Sequence, residues 1–134
     1  MDADHTAPTP GPTEPILGLD VERLDSLRDL DPGDTAYIDR AIGNFLVNSV
    51  AAVDAIRAAA ADGDAATLKA RSHKIAGSAL NLGVARAGEA ARAVEVAADD
   101  GVVGPTDPLL DELSTAMAEG RALLLTYQAT YAGR

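Results

Sequence analysis

The sequence predicts an all-α fold, an antiparallel four-helix bundle with a short additional N-terminal helix. After residue 18, apolar residues recur at helical spacings of three and four, and no segment of useful length alternates like a half-buried strand. Alanine, leucine and valine carry most of the apolar fraction of 47%, whereas aromatic residues make up only 3%. Such small side chains can fill a core between closely packed helices, and the short connections favour antiparallel neighbours.

At 134 residues, the chain has the length of one domain with a single core. Residues 1–18 hold four of the seven prolines, with threonine and glycine between them, and this composition predicts a disordered lead. The helical domain is therefore placed at residues 19–134. The N-terminus lacks a basic stretch followed by an apolar run, so we expect no secretory signal, no membrane span and a cytoplasmic location. The absence of cysteine excludes disulfides and thiolate chemistry.

Capping signals delimit the short first helix. Asp20 can cap its N-terminus, and Leu19 and Leu24 have the spacing of a hydrophobic staple. The helix is predicted to reach Leu30, where the segment LDPGDT, residues 30–35, interrupts it with proline and glycine.

The second and third helices are separated by a glycine and a capping aspartate. The second is predicted over residues 36–61 and is closed by Gly63. Its apolar stripe consists of Ile38, Ile42, Phe45, Leu46, Val53 and Ile56. Asp64 caps the third helix, which is predicted to end near Asn81, with Gly83 just beyond it.

The last two helices are joined by a loop rich in glycine and proline. The fourth is predicted over residues 84–98 and is lined by Ala87, Ala91, Val94 and Ala98. Asp107 caps the final helix, and Pro108 occupies its first turn. One face of that helix carries Leu110, Leu113, Met117, Leu124 and Tyr127. Tyr131 is expected to pack along it as well.

The third helix is predicted to expose one of the two histidines. Its buried stripe, at spacings of four and three, consists of Leu68, Ser72, Ile75, Ala79 and Leu82. At about 100° per residue, His73 lies about 160° from Ile75 around the axis and so faces solvent. Its neighbours one turn away on that face are predicted to be Lys69, Ala70, Ala76 and Gly77. Ser72 can be buried if its hydroxyl bonds back into the helix.

Gly77 is unusual in an alanine-rich helix, because glycine costs about 1 kcal/mol relative to alanine there. One interpretation is that it leaves room beside the imidazole for a partner's backbone or a phosphoryl group. The other is that it lets a second helix of the same chain pack closely, with His73 an ordinary exposed residue.

An exposed imidazole is a good nucleophile near neutral pH, and its attack on a phosphoryl donor gives phosphohistidine. Lys69, Arg71 and Lys74 could offset the negative charge that this step adds. Without a deep pocket the site would do little chemistry alone, so a partner would have to supply the metal and acidic residues.

Charge is unevenly distributed along the chain. The net charge is −10, which disfavours nucleic acid and anionic membranes as partners. The window 69–92 holds five bases and one acid, a charge of +4, and the rest of the chain, with 6 bases and 20 acids, carries −14. This window is either a solvated helix face or a docking surface for an acidic partner.

The stretch SHKIAGSALNLGVARAGEAARAVE, residues 72–95, resembles the signature of the histidine-containing phosphotransfer (HPt) domain. That family's pattern is roughly Ala-His-x-Leu-Lys-Gly-Ser, then Leu-Gly-Ala, then a helix ending in Leu-Glu. His73 matches the phosphorylated histidine of the family, and Ile75 matches its aliphatic core position. Gly77–Ser78 match the small pair, Leu82–Gly83 match the Leu-Gly turn, and Val94–Glu95 match the end of the helix. The resemblance extends more loosely over residues 19–131 and implies a four-helix bundle.

The resemblance implies a phosphocarrier rather than an enzyme. His73 Nε2 would take a phosphoryl group from a receiver-domain aspartate, or pass one to it, in a two-component phosphorelay. The expected partner is a response-regulator receiver domain, with a hybrid sensor kinase as a second candidate, and Mg²⁺ is expected in the receiver. In this chain we expect no cofactor, no metal site and no ATP-binding loop, and a monomer rather than a dimer.

The sequence departs from the family where lysine usually follows the histidine by three residues, because that residue is Ala76 here. In the family that lysine lies beside the phosphoryl group, and we hypothesise that Lys69 takes part of its role. The residues predicted to stabilise the phosphoryl group or dock the partner are Lys69, Ala70, Lys74, Ala76, Gly77, Ser78 and Leu80. Ala76 also supports an alternative, a non-phosphorylated adaptor that binds a receiver or sensor kinase and regulates it by occupancy.

Overall fold

The computed structural model describes residues 11–101 and 103–132. This part of the chain forms five α-helices and no strand. They are α1 Val21–Arg28, α2 Ala36–Asp62, α3 Ala65–Asn81, α4 Ala85–Asp99 and α5 Pro108–Ala129. The predicted all-α class is confirmed, and the largest difference in bounds is that α1 ends at Arg28 rather than at Leu30.

The predicted capping residues start and stop the helices. The side chains of Asp20, Asp64 and Asp107 each accept a hydrogen bond from a backbone N–H in the first turn of the helix that follows, at 2.9–3.1 Å. Gly63 closes α2 in the left-handed conformation, with φ of 69°, a region that other residues rarely adopt. Local sequence signals therefore determine where most of these helices begin and end.

Four of the helices form an antiparallel bundle in which α3 and α5 each contact both α2 and α4, and α1 packs against α2. Opposite ends of α2 and α5 meet. Arg57 near the end of α2 donates to Asp111 near the start of α5 at 2.9 Å, and Tyr131 after α5 donates to Asp39 near the start of α2 at 2.6 Å. The chain thus folds as the predicted bundle with a short additional helix.

The core is built from the predicted stripes. Every predicted stripe residue of the third, fourth and last helices is buried, and in α2 only Leu46 is partly exposed. Tyr127 and Tyr131 are buried and pack edge to face, with ring centroids 5.7 Å apart. Within the described residues, no helix is both long and apolar enough to cross a membrane.

A polar cluster joins the lead, α1 and α5. Asp25 accepts hydrogen bonds from the backbone and hydroxyl of Thr13, at 2.8 and 2.7 Å, and from the Tyr127 hydroxyl at 2.7 Å. Arg28, which is buried, lies 3.3 Å from the same carboxylate. Residues 1–10 of the predicted lead lie outside the described residues, so its disorder stays a prediction, whereas Thr13 near its end contacts α1.

Candidate functional site

The candidate site lies on the outer side of α3. The stripe predicted to be buried is buried throughout, and the Ser72 hydroxyl donates to the Leu68 carbonyl at 2.7 Å, as expected for a buried serine in a helix. On the opposite side, the His73 side chain is 67% exposed. The helix therefore presents the imidazole to solvent, as its apolar period predicts.

Glu95 in α4 holds one nitrogen of the His73 ring. The distance from His73 Nδ1 to Glu95 Oε2 is 2.7 Å, and the glutamate side chain is only 15% exposed. An ionised carboxylate only accepts hydrogen bonds, so Nδ1 carries the proton and, in the neutral ring, Nε2 keeps its lone pair. The contact thus selects the tautomer in which Nε2 is the nucleophile.

The signature over residues 72–95 predicts only that Glu95 lies at the end of a helix and gives it no role. A signal for the contact exists in the sequence. The turn at residues 82–84 makes α3 and α4 an antiparallel hairpin, and residues at similar distances before and after that turn face each other. His73 and Glu95 are such a pair.

Lys69 is engaged by a residue of α4 rather than by the histidine. Its Nζ lies 2.5 Å from Asp99 Oδ1, and this hydrogen bond raises the pKa of Lys69. The ammonium charge is therefore already matched by a carboxylate. The hypothesis that Lys69 stabilises a phosphoryl group stays a prediction, and the ion pair weakens its basis.

Ala76 does not belong to the exposed face, and its predicted place there is wrong. It is 1% exposed, because α4 packs over this side of α3. Gly88 allows the close approach. A Cβ at that position would lie 2.6 Å from Leu80 Cδ2 and 3.5 Å from the Ala76 carbonyl oxygen. The rotation of about 100° per residue gives the correct angle between Ala76 and His73 around α3. It does not take into account the neighbouring helix α4, which covers Ala76.

The other predicted docking residues are exposed. They are Lys69, Ala70, Lys74, Gly77, Ser78 and Leu80. A Cβ built at Gly77 meets nothing within 4 Å, so the interpretation that this glycine admits another helix of the chain is wrong. Their roles in phosphoryl binding or docking stay predictions.

The basic window is partly neutralised by ion pairs. Lys69 pairs with Asp99, and Arg86 pairs with Glu119 in α5. Within the described part of the chain, Arg71, Lys74 and Arg92 are exposed and form no ion pair. In the same residues, no group of three or more His, Asp or Glu side chains is arranged to hold a metal.

The fold and the site define a small helical bundle that exposes a histidine with an open nucleophilic nitrogen. Residues 40–123 match the family model described as the Hpt domain, and the chain belongs to this family. Members of the family are phosphocarriers in histidine phosphotransfer rather than kinases.

A solved structure shares the fold. It is histidine-containing phosphotransfer protein B (HptB) from Pseudomonas aeruginosa PAO1, with a TM-score of 0.76 and 21% sequence identity, over 87% of this chain and 99% of that one. A search of curated proteins found no match.

Proposed function

We propose that this protein carries a phosphoryl group on His73 Nε2 and exchanges it with the aspartate of a response-regulator receiver domain. The observation that carries the proposal is the exposed ring whose Nδ1 is held by Glu95 at 2.7 Å. This contact directs nucleophilicity to Nε2. The open position at Gly77, one turn further along α3, leaves room for the partner.

The chemical step is a phosphoryl transfer between nitrogen and oxygen. The Nε2 lone pair attacks the phosphorus of the aspartyl phosphate, the bond from phosphorus to the aspartate oxygen breaks, and the aspartate leaves as a carboxylate. The product is an Nε2-phosphorylated ring whose Nδ1–H still donates to Glu95. The reverse transfer uses the same geometry. The receiver supplies Mg²⁺ and its acidic residues, and this chain supplies the oriented imidazole.

The partner would dock on the exposed face of α3. Ala70, Gly77 and Ser78 provide a low surface around the ring, and Leu80 adds apolar contact area. The ammonium of Lys74 would favour an acidic receiver pocket by electrostatic steering. The proposal includes a cytoplasmic monomer and admits a hybrid sensor kinase as a second partner.

Transfer from a labelled receiver tests this function. A panel of receiver domains, each phosphorylated with ³²P in the presence of Mg²⁺, is incubated with the protein and with the His73→Gln variant. We expect label on the wild-type protein from at least one receiver and none on the variant. Label at another residue, or equal labelling of the variant, would contradict the proposal.

Ala76 keeps the adaptor as a second candidate function, because α3 carries no cation at that position. An adaptor would bind a receiver with similar affinity before and after His73→Gln and would accept no label. If a receiver binds without transferring label, the adaptor function therefore replaces the carrier function. If no receiver binds or transfers label, both functions are contradicted.

A further inference from the structure

The facing residues of α3 and α4 follow one register. A step forward along α3 is matched by an equal step backward along α4, as expected for antiparallel helices. Three contacts define this register, Lys69 with Asp99, His73 with Glu95, and Leu80 with the Cβ position of Gly88. The same steps place Arg92 of α4 opposite Ala76 of α3.

A second relation places Arg92 on the side of α4 that faces the histidine. It precedes Glu95 by three residues, and residues three apart on a helix share a face. Because Glu95 touches His73 Nδ1, Arg92 emerges from the same side of α4 one turn away. Gly88, one turn before Arg92, brings the two helices close together at this level. The long arginine side chain can therefore reach the region above His73.

The charges around the ring explain why a cation is needed there. A phosphoryl group adds a charge of about −1.5 to −2, and the Glu95 carboxylate already lies beside the ring. Lys69 is matched by Asp99. Arg92 is exposed and has no ion-pair partner among the described residues, so its guanidinium can turn to the incoming group.

We propose that Arg92 binds the phosphoryl group on His73 and supplies, from α4, the positive charge that Ala76 cannot supply from α3. Its planar guanidinium can donate two N–H groups to two phosphate oxygens. Arg71 lies about 160° from His73 around α3, so among the described residues Lys74 is the second unpaired cation near the ring. Lys74 lies about 100° from His73 around α3, on the side away from α4, and is expected to contribute less. This inference rests on the proposed function of His73.

A small phosphodonor tests the inference without any partner. Phosphoramidate transfers its phosphoryl group to imidazole. The bond from Nε2 to phosphorus forms, the bond from phosphorus to nitrogen of the donor breaks, and ammonia leaves. The rate of phosphohistidine formation, its lifetime and its ³¹P resonance are measured for the wild type and for Arg92→Gln, Arg92→Lys and Lys74→Gln. Arg40→Gln is the matched control.

Arg40 is also an exposed helical arginine without an ion pair among the described residues, but it lies in α2, far from His73 along the bundle. We expect Arg92→Gln to lower the rate or the lifetime by about threefold to fivefold, the range of an exposed ion pair, and to shift the ³¹P resonance. Arg92→Lys, which keeps the positive charge but not the paired N–H groups, should recover only part of the loss, and Arg40→Gln should match the wild type. The effect should shrink at high salt.

Other outcomes separate the two proposals. Wild-type phosphohistidine with no difference between Arg92→Gln and Arg40→Gln would overturn the role of Arg92 and leave the carrier function intact. A larger loss for Lys74→Gln than for Arg92→Gln would also overturn it, because the cation would then come from α3. Failure of the wild type to form phosphohistidine on His73 would contradict the proposed function itself. Unchanged far-UV circular dichroism establishes that each variant is folded.

Discussion

Gly77 in α3 and Gly120 in α5 both lie inside long helices, where glycine costs about 1 kcal/mol relative to alanine. A Cβ at Gly120 would lie 2.5 Å from Val84 Cγ1, so the packing of the start of α4 against α5 requires a glycine there. A Cβ at Gly77 would meet nothing within 4 Å. Gly120 therefore serves the core of this chain, whereas Gly77 has an open side beside His73.

Open space alone does not identify a docking surface. Gly43 in α2 is also inside a helix, and a Cβ there would meet nothing within 4 Å. Gly77 differs because it lies one turn after His73 on the same exposed face of α3. Gly43 therefore provides a control for every substitution at Gly77.

The largest expected effect is on transfer to a receiver. Gly77→Leu should slow phosphotransfer about a hundredfold, a loss of about 2.7 kcal/mol, because the leucine side chain would occupy the space that the partner approaches. Phosphorylation by phosphoramidate, which needs no docking, should change much less. Rapid-quench transfer assays measure the first rate, and ³¹P NMR measures the second.

Gly43→Leu is the control for this variant and should transfer at the wild-type rate. Equal transfer by Gly77→Leu and the wild type would refute the steric role of Gly77. The open surroundings of Gly77 also mean that the urea midpoint of Gly77→Leu should not fall below that of the wild type.

The second effect concerns the core. Gly120→Val should destabilise the fold by about 2 kcal/mol, as overpacking of a close helix contact does. Because Val84 is the obstructing side chain, the double variant Gly120→Val/Val84→Ala should be more stable than the sum of the two single changes indicates. Urea unfolding followed by circular dichroism measures all three variants. Additivity within 0.5 kcal/mol, about the error for independent sites, would contradict the contact between Val84 and residue 120.

The third expected effect is a gain in stability rather than a loss. Gly77→Ala should stabilise the protein by about 1 kcal/mol, because alanine has the higher helix propensity and its methyl group meets no neighbour. Gly43→Ala should give a similar gain in urea unfolding. A loss of stability for Gly77→Ala alone would mean that this glycine has a structural role within the chain.

The two glycines also show which features of the structure could be predicted from the sequence and which could not. Helix bounds and buried stripes could be predicted because caps, glycines and apolar periods are local signals. The burial of Ala76 could not, since it depends on how closely α4 approaches α3 at Gly88. The contacts of His73 with Glu95 and of Lys69 with Asp99 depend on the same packing. The register between the two helices decides these pairs. The turn at residues 82–84 indicates this register, whereas the periodicity of one helix does not contain it.

The smallest expected effect comes from a comparison of two carboxylates, each of which is hydrogen-bonded to a ring side chain. Glu95 binds the exposed His73, whereas Asp25 accepts from the buried Tyr127 at 2.7 Å. Burial alone would raise the pKa of Asp25, but hydrogen bonds from Thr13 and Tyr127 outweigh it and lower that pKa below its ordinary value. Burial and the Asp25 carboxylate also raise the pKa of Tyr127.

A lowered pKa in the folded state means that Asp25 stabilises the fold above its unfolded pKa, near 4, and that this contribution is lost as the pH falls through the folded pKa. Tyr127→Phe should cost about 0.5 kcal/mol at pH 7, since Asp25 keeps its bonds from Thr13. It should also weaken the loss of stability below pH 4, because one hydrogen bond that favours the ionised carboxylate is gone. Tyr37→Phe, at an exposed tyrosine, should leave both quantities unchanged. Urea titrations at pH 7, 4 and 3 measure the difference, and an acid dependence identical to that of the wild type would show that Tyr127 does not stabilise the Asp25 carboxylate.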